Sequence, residues 1–403
     1  MASNFEVTFL NLEKYVMKKS LLALAALATV GAVSAQSSVT LYGTIDVGYG
    51  SHSVDGRDGA RSIRSSGVME GANSGNRIGF RGTEDLGAGM KAEFVIEQGI
   101  SPTNGQLFGV RSSTGQQFAV VSPFAGSNLA GTKNAFSTST NRQSYLGVTS
   151  GIGTFNMGYQ YTNAYVLGTA SGYSIGSENI PGAYSSHQYG NDLVGGTRAN
   201  GLTYISPNFS GFTVRAQYGA AGAAPETAVA TGVTASENTG RRFGLMGQYA
   251  NGPLSAALAY TSLKSTTVGT NANPNSRNGN LTQLGASYDF GVVKLAGTYN
   301  TGKSGGTADS AVSSRIRAYQ VGLSAPFGAF VPYITVGKAY TQPDGAAGRS
   351  ADLSQAQLGV RYSLSKRTTA YAMYGQTTDN AATAANQFAY RERKTVVGVT
   401  HNF

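Results

Sequence analysis

Apolar and polar residues alternate with a period of two over most of this chain. In "VTLYGTIDVGYG", Val39, Leu41, Ile45, Val47 and Tyr49 fall on one side of an extended backbone, with Thr40, Thr44 and Asp46 on the other. "TFNMGYQY" separates Phe155, Met157, Tyr159 and Tyr161 from Thr154, Asn156 and Gln160. "FTVRAQYG" separates Phe212, Val214, Ala216 and Tyr218 from Thr213, Arg215 and Gln217. Such alternation marks strands with one apolar face. Sixteen runs are predicted, at 39–50, 77–84, 90–98, 142–149, 153–161, 199–206, 212–218, 242–250, 254–262, 281–290, 292–300, 315–325, 329–340, 354–363, 368–377 and 391–403.

The connections alternate as regularly as the residues do. Seven are short: "EDLGAGM", "SGIG", "SPNFSG", "NGP", "DFGV", "PFGA" and "SLSKRT". Between them lie long polar stretches near 51–76, 99–141, 163–198, 219–241, 263–280, 301–314, 341–353 and 378–390. Short turns at one end and long loops at the other are the asymmetry of a transmembrane β-barrel with periplasmic turns and extracellular loops. An even strand number lets the last strand pair with the first, and closure removes the open edges that a membrane cannot tolerate. On this reading Val397, Val399 and Phe403 of the terminal "KTVVGVTHNF" face lipid, whereas Thr400 and Asn402 face water.

Composition narrows the alternatives. The absence of cysteine excludes disulfide frameworks, thiolate metal sites and cysteine nucleophiles, and His52, His187 and His401 are too far apart for metal-ligand spacing. No other stretch approaches eighteen uninterrupted apolar residues, so no membrane helix is expected. "MKKSLLALAALATVGAVSAQSS", starting at Met17, has the charged, apolar and small-residue regions of a secretory signal peptide cut after Ala35. The expected organisation is therefore an N-terminal extension over 1–16 with Met17 as the start, a signal peptide over 17–35, and one barrel over 36–403. Many glycines and tyrosines, low mean hydropathy and export all suit an outer-membrane barrel, in which only one strand face is apolar.

Three blocks, "NRIGFRGTEDLGAGMKAEFVIEQG" (Asn76–Gly99), "NRQSYLGVTSGIGTFNMGYQYT" (Asn141–Thr162) and "TYISPNFSGFTVRAQYG" (Thr203–Gly219), together with the terminal Phe403, resemble the general diffusion porins of Gram-negative outer membranes, closest to the β-proteobacterial type. The resemblance spans essentially all of 36–403. It implies an all-β, sixteen-stranded antiparallel barrel assembled as a homotrimer, with a third extracellular loop folded inward to narrow the pore. It also implies an arginine cluster facing acidic groups of that loop. The matching positions are Arg77, Arg142 and Arg198, and loop 163–197 carries Glu178 and Asp192 as its carboxylates. Arg198 shares parity with Leu202 and Tyr204, so it reaches the lumen only through a bulge or if the strand has not yet begun. The second loop, 99–141, is long and looks like an insertion ahead of Arg142; in the family it latches onto the neighbouring subunit.

Parity assigns further charge to the lumen: Arg81, Lys91, Arg215, Arg242, Lys294 and Arg361 against Asp46, Glu93, Glu97 and Asp289. With a formal net charge of +10, this balance predicts modest anion preference. Tyr49, Tyr159, Tyr161, Tyr218, Tyr260, Tyr288 and Tyr362 are expected in lipid-interface girdles. The expected function is passive diffusion of ions and small hydrophilic solutes, with no cofactor and no catalytic constellation. Expected partners are lipopolysaccharide and outer-membrane lipid, and the barrel-assembly machinery through Phe403 as terminal insertion signal. A solute-specific channel for phosphate or an organic anion is the nearest alternative, and a plugged adhesive barrel the next. The basic pI raises nucleic-acid binding, but no basic stripe with interleaved aromatics supports it.

Overall fold

The computed structural model describes residues 38–56, 62–103, 106–107, 141–170, 173, 175–177, 179–182, 198–221, 237–268, 279–304, 313–345, 348–349, 351–381 and 390–403. The expected extension and signal peptide, much of loop 99–141, and both Glu178 and Asp192 lie outside the described residues. The strands are β1 (Ser38–Gly56), β2 (Ile63–Glu70), β3 (Arg77–Gly87), β4 (Met90–Ser101), β5 (Gln106–Leu107), β6 (Asn141–Ser150), β7 (Gly153–Tyr161), β8 (Arg198–Ile205) and β9 (Phe212–Ala221). They continue as β10 (Glu237–Asn251), β11 (Leu254–Val268), β12 (Gly279–Asp289), β13 (Lys294–Ser304), β14 (Ser314–Ser324), β15 (Phe330–Pro343), β16 (Ala351–Ser363), β17 (Thr368–Asp379) and β18 (Tyr390–Asn402).

Neighbouring strands pair antiparallel all the way round, and β1 pairs with β18 to close the wall. The closed wall has sixteen positions, because β2 and β3 share one. β2 lies along the upper half of β1, Val47–Val54, and β3 along the lower half, Ser38–Thr44. β5 is an extra two-residue strand on β4. Each of the sixteen predicted runs is a strand. The stretch 51–76, expected as a loop, instead contains the end of β1 and all of β2. "IRSSGVME" has too few apolar residues to announce a strand, and its pairing partner supplies the order.

Parity sorts the side chains by solvent. Outward positions such as Leu146, Met157, Leu258 and Val397 are among the most exposed large apolar residues. Around the wall they make a continuous apolar belt far larger than a soluble monomer tolerates, as a lipid-facing surface requires. Inward positions include Asn156, Gln217, Gln283, Asn300 and Gln357, all of them buried, and Gln217, Gln283 and Gln357 bond the inner loop.

The seam between β1 and β18 is reinforced by side chains as well as by its own ladder. Gly43 and Phe403 exchange backbone hydrogen bonds at 3.1 Å in both directions. A Cβ on Gly43 would fall 2.3 Å from the Phe403 ring, so only glycine fits there. One turn inward, the carboxylate of Asp46 is fully buried. It accepts from the Tyr371 hydroxyl at 2.5 Å, the Thr400 hydroxyl at 2.9 Å, and the backbone N–H groups of Asn73 and Ser74 at 2.9 and 2.7 Å. The bend 71–76 between β2 and β3 is thereby fastened to β1, β17 and β18 by one side chain.

Asp46→Ala leaves two buried hydroxyl donors and two part-buried backbone N–H groups without an acceptor, so it is expected to lower stability by about 3 kcal/mol. Guanidinium unfolding in detergent measures this, and Asp46→Asn, which keeps an acceptor, should lose less. An unchanged transition for Asp46→Ala would show the clamp to be dispensable.

Candidate functional site

The connection after β7 enters the barrel. Thr162 starts it: its hydroxyl accepts from the N–H of Tyr165 at 3.2 Å, capping a turn of α-helix (Asn163–Tyr165) that continues as a π-helical turn (Val166–Ala170). The chain then follows the inner wall, held by side chains that project inward from successive strands. Gln283 of β12 donates to the carbonyl of Ala164 at 3.3 Å, and Gln320 of β14 to that of Ile175 at 3.2 Å. Gln357 of β16 accepts from Ser177 N–H at 2.6 Å and donates to the carbonyls of Ser177 and Pro181 at 3.1 and 3.2 Å. Thr377 of β17 accepts from Gly182 N–H at 3.1 Å.

Apolar packing adds to these bonds. Leu167 and Tyr173 bury against Met246, Ala257 and Ala259, and Ile175 and Ile180 against Tyr333, Tyr371 and Met373. Fully burying a side chain such as Leu167 stabilises by roughly 1.5–3 kcal/mol. Tyr173 can lie flat on the wall because Gly285 lacks a Cβ, which would sit 2.5 Å from its ring. Gly172–Gly176 spells G-x-S-x-G, the spacing of a nucleophile elbow. Of these residues Tyr173 and Ile175 are packed away from solvent against the wall, and Gly172 and Ser174 lie outside the described residues.

Where the loop leaves β7, one arginine pairs with a buried carboxylate and others are held by neighbouring side chains. Arg142 Nε donates to Glu97 Oε1 at 2.6 Å, and its Nη2 donates to the Tyr161 hydroxyl at 2.8 Å. Tyr42 donates to the other oxygen of Glu97 at 3.2 Å. Arg77 donates to the Ser74 hydroxyl at 2.7 Å, and the Arg81 guanidinium lies 5.2 Å from the centre of the Tyr42 ring. Arg198 sits over Tyr161 at 4.9 Å, and Tyr161 stacks on Tyr165 at 4.5 Å. Such contacts fix guanidinium planes without neutralising them.

The structure therefore brings Arg77, Arg142 and Arg198 together, by a different route for each. Arg77 follows simple parity. Arg142 does not: Leu146 and Val148 on the same parity face outward, and a bulge opposite Glu97 and Gln98 turns Arg142 inward. Arg198 is the first residue of β8, in regular register with Tyr161, and it reaches the cluster from the strand end. Tyr161, expected in the lipid girdle, turns inward where β7 gives way to the loop. Glu97 had the right parity, but nothing in the one-dimensional pattern marks it as the partner of Arg142, forty-five residues away.

Other predicted lumen charges have separate surroundings. Arg215 donates to the Asn163 side chain at 2.8 Å, and Arg361 to Asn73 at 2.8 Å and to the carbonyl of Gly176 at 3.1 Å, so both brace the loop. Arg242 is buried, and Glu93 is half-buried on the inner face of β4. Lys91 is exposed beside the turn before β4, and Lys294 pairs in register with Asp289 at another short turn. Asp46 serves the seam. His52, expected in a loop, lies in β1 with Nε2 2.8 Å from Glu392.

A closed barrel with a lipid-facing apolar exterior, a polar interior and a loop narrowing that interior defines a transmembrane diffusion channel. A family model described as Gram-negative porin matches residues 21–382. The chain is 34% identical over 359 residues to outer membrane porin protein 32 of Delftia acidovorans, covering 88% of each. It is 32% identical over 436 aligned positions to an outer membrane porin protein of Bordetella pertussis, covering 95% of this chain and 98% of that one. The anion-selective porin from Comamonas acidovorans superposes with a TM-score of 0.65 at 25% identity, over 91% of this chain and all of that one. OmpT of Vibrio cholerae in its trimer form shares the fold, with a TM-score of 0.58 at 14% identity. The chain belongs to the Gram-negative porins, channel proteins of the outer membrane.

Gln357→Ala removes the hydrogen bonds that hold Ser177 and Pro181 to the wall. Single-channel recording should show a larger and noisier conductance than wild type, with unchanged current noise counting against the anchoring role.

Proposed function

We propose that this porin admits small hydrophilic solutes with a modest preference for anions, and that the constriction lies between the inner loop and the cluster Arg77, Arg81, Arg142 and Arg198. The observation that carries this reading is that Arg142 pairs with Glu97, that the Tyr42 and Tyr161 hydroxyls also reach Glu97, and that Arg81 and Arg198 lie over those two tyrosine rings while Arg77 is held by Ser74. A low-dielectric wall focuses their field into the water between wall and loop, and fixed cations there raise the local anion concentration. Held guanidinium groups also act without reorganising, so a passing anion exchanges hydration for donors already in place. Glu178 and Asp192 are proposed to face this cluster from the loop.

The protein is proposed to assemble as a homotrimer, as the trimer form of OmpT does. Export through a signal peptide over 17–35, recognition of the Phe403 strand by the barrel-assembly machinery, and contact with lipopolysaccharide belong to the same reading.

The test is the reversal potential in a planar bilayer under a potassium chloride gradient, with conductance steps in threes reporting the trimer. Wild type should reverse toward the chloride equilibrium potential, and cation selectivity would overturn the assignment. Arg142→Ala should reduce the anion-to-cation ratio severalfold, whereas Glu97→Gln should raise it above wild type. The preference should fade between 0.1 M and 1 M salt, as the screening length falls from about 10 Å to about 3 Å.

A further inference from the structure

The outer face of the extracellular rim carries a charge pattern that conduction does not use. Along β10, β11, β13 and β14 the outward residues change from apolar or aromatic at mid-height to basic near the long loops. Phe243 gives way to Arg241, Tyr260 to Lys264, Tyr299 to Lys303, and Tyr319 to Arg317 and then Arg315. All five cations are exposed. The periplasmic rim differs: its outward positions include Phe212, Tyr249, Tyr288, Phe330 and Tyr362. Among the described strand residues facing outward at that rim, none is lysine or arginine.

Four of these cations form two direct cross-strand pairs. Arg241 stands opposite Lys264, and Lys303 opposite Arg315. Like charges at directly opposed positions destabilise an antiparallel pair unless an anion lies between them. Asp344, just beyond β15, serves the second pair in part. Its Oδ1 lies 3.1 Å from Arg315 Nε, and the Ser313 hydroxyl donates to its Oδ2. Ser313, then Arg315 and Lys303, hold this carboxyl below its ordinary value, so it stays ionised. One carboxylate still faces two cations there. Among the described residues no carboxylate lies within ion-pair distance of Arg241, Lys264 or Arg317. Arg317 donates from Nη1 to the Tyr340 hydroxyl at 3.3 Å, which leaves the other edge of its guanidinium open.

Basic side chains just above an aromatic girdle lie at the depth of lipid headgroups. We propose that this arc of the rim binds the phosphate groups of the outer-leaflet glycolipid, lipopolysaccharide: one phosphate between Arg241 and Lys264, and another at Lys303, Arg315 and Arg317. This rests on the glycolipid contact included in the reading above and gives it an address. Phosphate supplies the charge that the like-charged pairs lack, and guanidinium groups match its geometry in a two-point contact.

The full chain, folded in detergent, is titrated with bisphosphorylated lipid A, with lipid A stripped of phosphate, and with inorganic phosphate. Thermal unfolding provides the readout, since a ligand of the folded state raises the unfolding temperature. Only bisphosphorylated lipid A should raise it. The double variants Arg241→Gln/Lys264→Gln and Lys303→Gln/Arg315→Gln should each need roughly thirtyfold more lipid A for the same shift, about fivefold per side chain removed. Their single-channel conductance should match wild type, which also certifies folding, and Arg241→Lys should keep most of the response. A wild type that does not respond overturns the glycolipid contact itself. A wild-type response that both glutamine variants retain overturns this address alone, and one reproduced by inorganic phosphate overturns the glycolipid as its source.

Discussion

A sheet in hydrocarbon has no water to satisfy an open edge, so everything in this molecule depends on the pairing of β1 with β18. That seam is reinforced where its two strands meet the rest of the wall. The Phe403 backbone closes against Gly43, and Asp46 gathers hydrogen bonds from β17, β18 and the bend between β2 and β3. Burying a carboxylate is costly unless its oxygens are fully occupied, and here four donors occupy them. The same bend then reaches the pore. Ser177 donates to the carbonyl of Ala72, and Arg361 bridges Asn73 to Gly176, so seam and inner loop form one continuous bonded structure.

The inner loop is held mostly by neutral groups. Side-chain amides are well suited to this, since one amide both donates and accepts and can follow an irregular backbone. Gln357 does so with Ser177, and Gln217 does so where the loop begins, accepting from Asn163 N–H and donating to the carbonyl of Tyr161. Neutral anchoring leaves the electrostatics of the pore to a small number of charged groups. Asp46 is enclosed within the seam, so Glu97 is the acid set directly against the arginine cluster among the described residues.

The basic excess of the chain thus has two separate addresses. One is inside, where guanidinium groups are held by hydroxyl, carboxylate and aromatic partners on the inner face of the wall. The other is outside, where exposed cations sit above the tyrosines of the extracellular rim. A period-two strand makes this division possible, because neighbouring residues meet different solvents. Arg241 faces outward and Arg242 inward on the same strand.

The sequence by itself determined the wall. Alternation in runs such as Val39–Tyr49 and Phe155–Tyr159 specified which side chains meet lipid, because strand parity is a local property of the backbone. The alternation of short and long connections, with an even strand number, determined that the first strand starts and the last strand finishes at the same end of the barrel. What it could not express are interactions in which local parity fails or distant strands meet. "IRSSGVME" is a strand only because the upper half of β1 offers it an edge. Arg142 points inward because of a bulge, and Tyr161 because its strand ends there. Glu97 becomes the partner of Arg142 only once β4 and β6 lie side by side. The wall was legible because each of its residues needs to know only its neighbours, whereas the arginine cluster was decided by tertiary structure because its members sit on different strands, two of them where local parity fails.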